Sequence, residues 1–491
     1  MSGKLLAGIG FATALAVTAG LITACGGGGS PAPGWCPTVL GHEVSCGVLA
    51  RPVVADRPEL GELEVGYALI RHSHRDAPAA GTIAPNPGGP GGPIIDQAAS
   101  AVKLSEPLLD DHDLLLIDPR GTGHSSSLDC GLGAEPVQLA TRARQRQVVG
   151  ECGERLGPRA AGYTSAATAD DFDAVRDRLG IPKLVLYGLS YGTYLMPIYA
   201  QRHPDRVQSM VLSGAYPIDF DPLSRPSAQA VSLTLHRICD RSGSCDGDTA
   251  VADLAATAAR LRTQPITLDG MVLTEGKLSS LVFESASGGL GWDPAALMPL
   301  GTLPAALHKS VHGDDAALGE FVKATVPSGG EEAALSMAVV CNDYAKAWSP
   351  DLPPAQRELR YQQALAATAP GEFGAFSAAG FDEGLSDGGD ICLQWPSSAV
   401  AQPHSNGMPD VPVLVLSGDL DANTPDANGR VAAAQFPRAT FVSVPNTGHV
   451  PGLEPSGCIM GIVTGFIRTT VPGDPACLDR LPPISVTAVT N

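Results

Sequence analysis

Apolar residues fall into short unbroken runs along the chain, at Leu63–Ile70, Asp113–Ile117, Lys183–Tyr187, Gln208–Leu212, Val411–Leu416 and Thr440–Val444. Runs of this length with little polar alternation suit strands covered on both faces. Glycine or proline turns follow most of them and helical patterns follow the turns, so the alternation predicts a mainly parallel sheet flanked by helices. One helix can be read in detail ahead of the run at Lys183. Thr168 and Asp171 have capping-box spacing, Asp170 and Asp171 lie in the first turn, Arg176 and Arg178 come near the end, and Phe172, Val175 and Leu179 share a face. Gly180 is placed to stop this helix, and Pro182 leads into the next strand.

Between the runs at Gln208 and Val411 the pattern changes. The interval 219–407 is rich in alanine and leucine and carries helix-like patches such as Val251–Leu261 and Pro354–Ala367. It reads as a mostly helical cap inserted into the sheet domain, roofing the strand ends; a separate binding domain is the alternative. The core is thereby split into a first part, 36–218, and a second part, 408–491. No repeat period stands out.

The stretch "LVLYGLSYGTYL" (Leu184 to Leu195) begins as a buried strand and turns helical after Tyr191-Gly192. At the join, Gly188-Leu189-Ser190-Tyr191-Gly192 fits the G-x-S-x-G nucleophile elbow, a strained strand-to-helix turn that aims a serine Oγ outward while the glycines leave room for neighbouring backbone. In a chain with 57 glycines the motif also arises by chance, and the strand before it and helix after it give it weight. A serine hydroxyl needs a base to take its proton and an acid to orient the base, and after such an elbow the acid comes next in the chain and the histidine last. "VPVLVLSGDLDANTP" offers Asp419 and Asp421 as acids, and "TFVSVPNTGHV" offers His449 in a glycine turn. His112, His124 and His203 precede the acid and are assigned to turns or the surface. The loop "APNPGGPGGP" (Ala84 to Pro93) would let a backbone N–H approach a substrate oxygen: Gly89 is the first choice, Gly88 the next, and Tyr191 the second donor. A plain Pro-Gly turn is the competing account of that loop.

At 491 residues and 44% hydrophobic composition the chain can bury a large core. Its formal net charge of -19, from 51 acidic and 32 basic side chains, argues against nucleic acid as a partner and suits the solvated surface of an exported protein. Lys4 precedes an apolar run from Leu5 to Ala24, and "LITAC" then ends on Cys25. This resembles the lipobox of bacterial lipoproteins, which implies a signal peptide over 1–24, acylation of Cys25 and a flexible tether over 25–35 containing "GGGGSPAPG". A single transmembrane helix is the competing reading. Setting Cys25 aside from the 11 cysteines leaves an even set, which in an exported protein reads as disulfides. Pairing sequence neighbours gives Cys36–Cys46, Cys130–Cys152, Cys239–Cys245, Cys341–Cys392 and Cys458–Cys477, although spacing alone does not fix connectivity. No C-x-x-C or H-E-x-x-H spacing occurs, so neither a metal nor any other cofactor is expected.

The set "NPGGPGG", "DLLLIDPRGTGHSS", "YGLSYGTYL", "LSGDLDANTP" and "NTGHV", in this order behind an export signal, resembles the tripeptidyl-aminopeptidase-like branch of the prolyl-aminopeptidase family of α/β-hydrolase serine peptidases. The resemblance spans about Gly34 to Cys477 and is weakest in the cap. It implies an α/β-hydrolase fold with the helical cap inserted before the acid-bearing strand. It selects Asp421 as the acid, three residues after Gly418, with Asp419 shaping the turn. Pro87 stands where prolyl-aminopeptidases often carry a histidine, as in the exported branch, and Asp118 and Arg120 match a motif that holds loop structure. The implied activity is removal of tripeptides or short fragments from a peptide with a free N-terminus, by a monomer held at the outer face of a membrane. Such an enzyme needs an anionic group in the cap for the substrate ammonium. Asp343, two residues from Cys341, is the first candidate, Glu284 the second, and a merely solvated acid the bland alternative; Thr424 is placed as a residue lining the site. A carboxylesterase or lipase on the same triad and a non-catalytic peptide-binding lipoprotein are the competing functions.

Overall fold

The apolar run that leads into Ser190 lies near the middle of an eight-stranded sheet. The computed structural model describes residues 33–131, 140–268, 270–288, 298–325, 333–385, 388–396 and 407–490, so Cys25 and most of the tether lie outside the described residues. The strands in chain order are β1 (Val44–Pro52), β2 (Glu62–Ile70), β3 (Gly81–Asn86), β4 (His112–Ile117), β5 (Leu184–Leu189), β6 (Val207–Ser213), β7 (Ile266–Leu268), β8 (Met271–Leu273), β9 (Val413–Gly418) and β10 (Ala439–Val444). The main sheet runs β1-β2-β4-β3-β5-β6-β9-β10. Its first two pairings are antiparallel, and the rest, from β4·β3 to β9·β10, are parallel.

All six apolar runs are in this sheet. Two strands of the sheet lie outside these runs: β1 is an edge strand with mixed exposure whose apolar positions are diluted by Arg51 and Pro52, and β3 has only six residues, among them Gly81, Pro85 and Asn86. Residues of β5 alternate between two cores: Leu184 and Leu186 pack on one face, Val185 and Tyr187 on the other. That double burial is why β5 shows no polar alternation in its sequence.

The helix before β5 spans Ser165–Arg178 and starts one turn earlier than its capping-box spacing suggests. Thr164 is the N-cap, accepting from Ala167 N, while Thr168 Oγ1 donates back to Thr164 O inside the helix. Asp171 is therefore not the return partner of a cap. It is fully buried and takes Arg120 bidentately at 2.8 Å and Arg51 at 2.9 Å. Gly180 follows with φ +68, a conformation that favours glycine.

Between β6 and β9 the described residues form helices, among them Arg225–Ser242, Gly247–Thr263, Glu275–Ser287, Ala333–Asp343 and Pro354–Ala366, and the small hairpin β7·β8. Five disulfides join sequence neighbours, 36–46, 130–152, 239–245, 341–392 and 458–477. The chain's last residues leave the sheet side and return to this helical region, where Thr487 N donates to Gly301 O and Val489 N to Ser244 O. Among the described residues no helix is long and apolar enough to cross a membrane.

Candidate active site

β5 ends at Leu189, and the next residue, Ser190, has φ +53, a left-handed conformation strained for any residue but glycine. Two glycines make the turn possible. A Cβ on Gly188 would meet Gly192 O at 2.4 Å, and one on Gly192 would meet Asn86 O at 2.6 Å. The Ser190 N–H is held by Ser213 O on neighbouring β6, so the hydroxyl is presented at the carboxyl end of the sheet. The helix Gly192–Arg202 begins at once and points its N-terminal partial charge at the same place.

His449 Nε2 lies 2.7 Å from Ser190 Oγ, and His449 Nδ1 lies 2.8 Å from Asp421 Oδ2. The acid turn after β9 and the histidine turn after β10 are stitched together by Asp419 N to Val444 O and Leu420 N to Thr447 O. Gly418 lets them approach, since a Cβ there would meet Gly448 O at 2.1 Å. Asp421 is 2% exposed; its Oδ1 accepts from Asn423 N at 2.8 Å and Thr424 N at 3.0 Å. Asp419 does separate work, binding Arg241 at 2.5 Å and accepting from Asn446 N at 2.8 Å.

Gly88 and Gly89 both have positive φ, at +98 and +113. A Cβ on Gly88 would meet Leu189 O at 2.7 Å and Ser190 Cβ at 2.9 Å, so the glycine loop lies directly on the elbow. The Gly88 amide, however, donates to Asn86 Oδ1 at 3.1 Å. This corrects its placing as an oxyanion donor: Gly88 matters for the side chain it lacks, and the geometry leaves Gly89 and Tyr191 as the amides to consider. Asn86, buried at the end of β3, is the residue the sequence reading passed over; a polar side chain closing an apolar strand was the available signal.

Thr424 is also corrected. It is 0% exposed, so it does not line a substrate surface. Its Oγ1 donates to Asp421 Oδ2 in a short hydrogen bond and lies 3.1 Å from His449 Nδ1, bracing the acid against the imidazole. Asp343 is nearly buried, and its Oδ2 accepts from Ser165 N at 2.5 Å. Glu284 is exposed and borders a cavity of about 260 Å³ together with Lys277, Arg142 and Glu383, a cavity whose walls include none of Ser190, Asp421 and His449. A narrower cleft of about 40 Å³ opens where Tyr216 and Asn423 meet Phe220, Phe283 and Tyr344. Tyr216 Oη donates to Asn423 Oδ1 at 2.5 Å, two residues from the acid.

Asp118 and Arg120 hold the surrounding loops. Asp118 Oδ1 accepts from Ile94 N and Ile95 N at the end of the glycine loop, and Oδ2 from His124 N. Arg120 adds carbonyls of Val53 and Gly162 to its pair with Asp171. His124 stacks on Trp35 and His203 pairs with Asp170, whereas His112 is buried at the start of β4 beside Asp111, not in a turn or at the surface.

Family models match two stretches, the alpha/beta hydrolase fold over residues 86–238 and TAP-like protein over 377–477. The chain has the α/β-hydrolase fold, and its residues 377–477 are similar to TAP-like protein. The chain is 33% identical over 202 residues to serine protease Hip1 of Mycobacterium tuberculosis, a stretch covering 38% of each chain. It is 30% identical over 190 residues to tripeptidyl aminopeptidase of Streptomyces lividans, covering 35% of each. Carboxylesterase B of Mycobacterium tuberculosis matches at 29% over 247 residues, 46% of this chain and 43% of that one. The matched stretches thus span less than half the length of these relatives. Among solved structures, proline iminopeptidase of Mycobacterium smegmatis superposes over 86% of this chain and 97% of its own at 14% identity and a TM-score of 0.37.

Proposed function

We propose that the protein is a serine hydrolase working through an acyl-enzyme, and that it acts as an aminopeptidase releasing tripeptides or short N-terminal fragments. The observation that carries the reading is the continuous relay Asp421–His449–Ser190, with links of 2.8 and 2.7 Å, at a strained elbow under a glycine loop. In this mechanism Ser190 Oγ attacks the scissile carbonyl while His449 Nε2 takes its proton. The oxyanion forms between the Gly89 and Tyr191 amides, and His449 then protonates the leaving amine. Asp421, held by Thr424 and two amides, keeps Nδ1–H oriented and stabilises the imidazolium. Water enters by the same route to release the acyl group.

The peptide substrate is supported by the likeness to serine protease Hip1 and tripeptidyl aminopeptidase. Ester hydrolysis is the second reading, favoured by the likeness to carboxylesterase B. Purified protein offered a tripeptidyl anilide and a matched short acyl ester separates the two: activity on the ester alone overturns the peptidase reading. N-acetylating the anilide should abolish its cleavage. A fluorophosphonate should label Ser190, with labelling and turnover both lost in Ser190→Ala; a folded wild-type chain that takes no label would instead be a binding protein.

We place this monomeric enzyme outside the cytoplasm, anchored through a lipid on Cys25. Five disulfides support an oxidising compartment. Radiolabelled fatty acid should enter the wild-type chain and not Cys25→Ala; equal incorporation would remove the anchor.

A further inference from the structure

Three consecutive residues at the end of the cap helix Ala333–Asp343 reach outward to other parts of the molecule. Cys341 is bonded to Cys392. Asn342 Nδ2 donates to Ala160 O at 2.8 Å and Tyr163 O at 2.9 Å, and its Oδ1 accepts from Trp395 Nε1 at 2.8 Å. Asp343 then takes two core groups: its Oδ2 accepts from Ser165 N at 2.5 Å, and its carbonyl accepts from Tyr194 Oη at 3.1 Å.

Ser165 is the first residue of its helix, so the Asp343 carboxylate meets an unsatisfied N–H and the positive end of the helix together. The Ser165 hydroxyl lies 2.7 Å from Tyr191 Oη. Ser165, Tyr191 and Tyr194 are 0, 3 and 1% exposed, which makes this chain of bonds a dry one. Burial, and after it the Asp343 charge, pushes the Tyr191 phenol well above its ordinary value, so it stays neutral. Tyr191 therefore has two ends: a ring pinned inside the core and a backbone N–H beside the nucleophile.

Taking Ser190 as the nucleophile, as read above, we propose that Asp343 is a positioning residue: through Ser165 it fixes the Tyr191 side chain, and with it the Tyr191 amide that completes the oxyanion hole. The cap then acts on the reacting carbonyl from behind, through the core. In the other role open to Asp343, its Oδ1 would pair with a substrate ammonium while Oδ2 keeps Ser165.

The two roles differ in what they change. A displaced oxyanion amide weakens transition-state binding on every acyl substrate, whereas a lost ammonium partner weakens binding only of substrates bearing that amine. Asp343→Asn, Ser165→Ala and Tyr191→Phe should be compared on a free-amine tripeptidyl anilide and on a short acyl ester without an amine. Each should lower kcat about 10-fold on both substrates, less than the roughly 10²–10³ of deleting a donor outright, with KM within about twofold. Because they act on one chain of contacts, Asp343→Asn combined with Tyr191→Phe should be no slower than the worse single variant. Fluorophosphonate should label every variant fully but more slowly.

A KM increase confined to the anilide would overturn the proposal in favour of an ammonium partner. Unchanged kcat in Tyr191→Phe on both substrates would also sink it. If Asp343→Asn fails to fold, as its melting temperature would reveal, the Ser165 and Tyr191 variants decide alone. A wild-type protein that neither labels nor hydrolyses either substrate removes the nucleophile reading and this proposal with it, an outcome distinct from an active wild type indifferent to these substitutions.

Discussion

Thr424 shows how much one methyl-bearing hydroxyl can do without touching substrate. Its amide and its Oγ1 both address Asp421, on different carboxylate oxygens, and the same Oγ1 lies against His449 Nδ1. Thr424→Val keeps the shape and the amide bond but removes the hydroxyl, leaving a buried carboxylate oxygen with one partner fewer. We expect kcat to fall about 10-fold with KM unchanged, from about 1–2 kcal/mol of lost charge-assisted bonding. An unaltered kcat would mean the two backbone amides already hold the acid. Asp421 is a different case: its replacement by Asn should cost far more, about 10⁴ in kcat, because the imidazole loses the charge that fixes its tautomer.

Among elements, the elbow depends on the glycine loop that lies over it. Gly88→Ala adds a methyl group 2.7 Å from Leu189 O at φ +98, where both space and backbone oppose it. The loop must lift, so turnover should fall by more than about 100-fold with the protein still folded. The helices that precede and follow β5 in the chain are joined by Asp170, which binds Arg202 at 2.5 Å and His203 at 2.9 Å. Burial pushes the Asp170 carboxyl up, but the bonds from His203 and Arg202 outweigh it and bring it down to about 2. Since the folded value lies below the ordinary 3.8, the pair contributes stability above pH 3.8 and loses it as pH falls toward 2. Asp170→Asn should therefore destabilise the protein at pH 6, by about 2 kcal/mol or less and seen as a lower melting temperature, and make progressively less difference as the pH is taken down to 2.5. A gap that stays constant with pH would show that the ion pair is not its source.

For the molecule as a whole, the cap is fastened at many points rather than hinged at one. The Cys341–Cys392 bond closes 51 residues inside it, Arg142 reaches Asp390 at 2.5 Å, Asp343 reaches Ser165, and the C-terminal residues run back to Ser244 and Gly301. Replacing both Cys341 and Cys392 by alanine removes a cross-link worth about 4 kcal/mol by loop entropy. The melting temperature should drop by several degrees, and limited proteolysis should cut first between β6 and β9. An unchanged cutting pattern would show that the remaining contacts hold the cap by themselves.

Six strands of the main sheet, the elbow and the places of Ser190 and His449 were legible in the sequence because each is a local pattern, whereas the choice of Asp421 over Asp419 came from the family resemblance. A strand covered on both faces must be apolar throughout, and a serine at φ +53 needs glycines beside it, so such constraints are written in adjacent letters. The even cysteine set was legible for the same reason, since each bond joins neighbours in sequence. The partners of Thr424, Gly88, Asp171 and Asp343 were decided only by the tertiary structure. Asp343 meets Ser165 across 178 residues and Arg120 meets Asp171 across 51. Which polar groups are left facing one another once the apolar faces close is a matter of ångströms set by packing, and no periodicity along the chain encodes it.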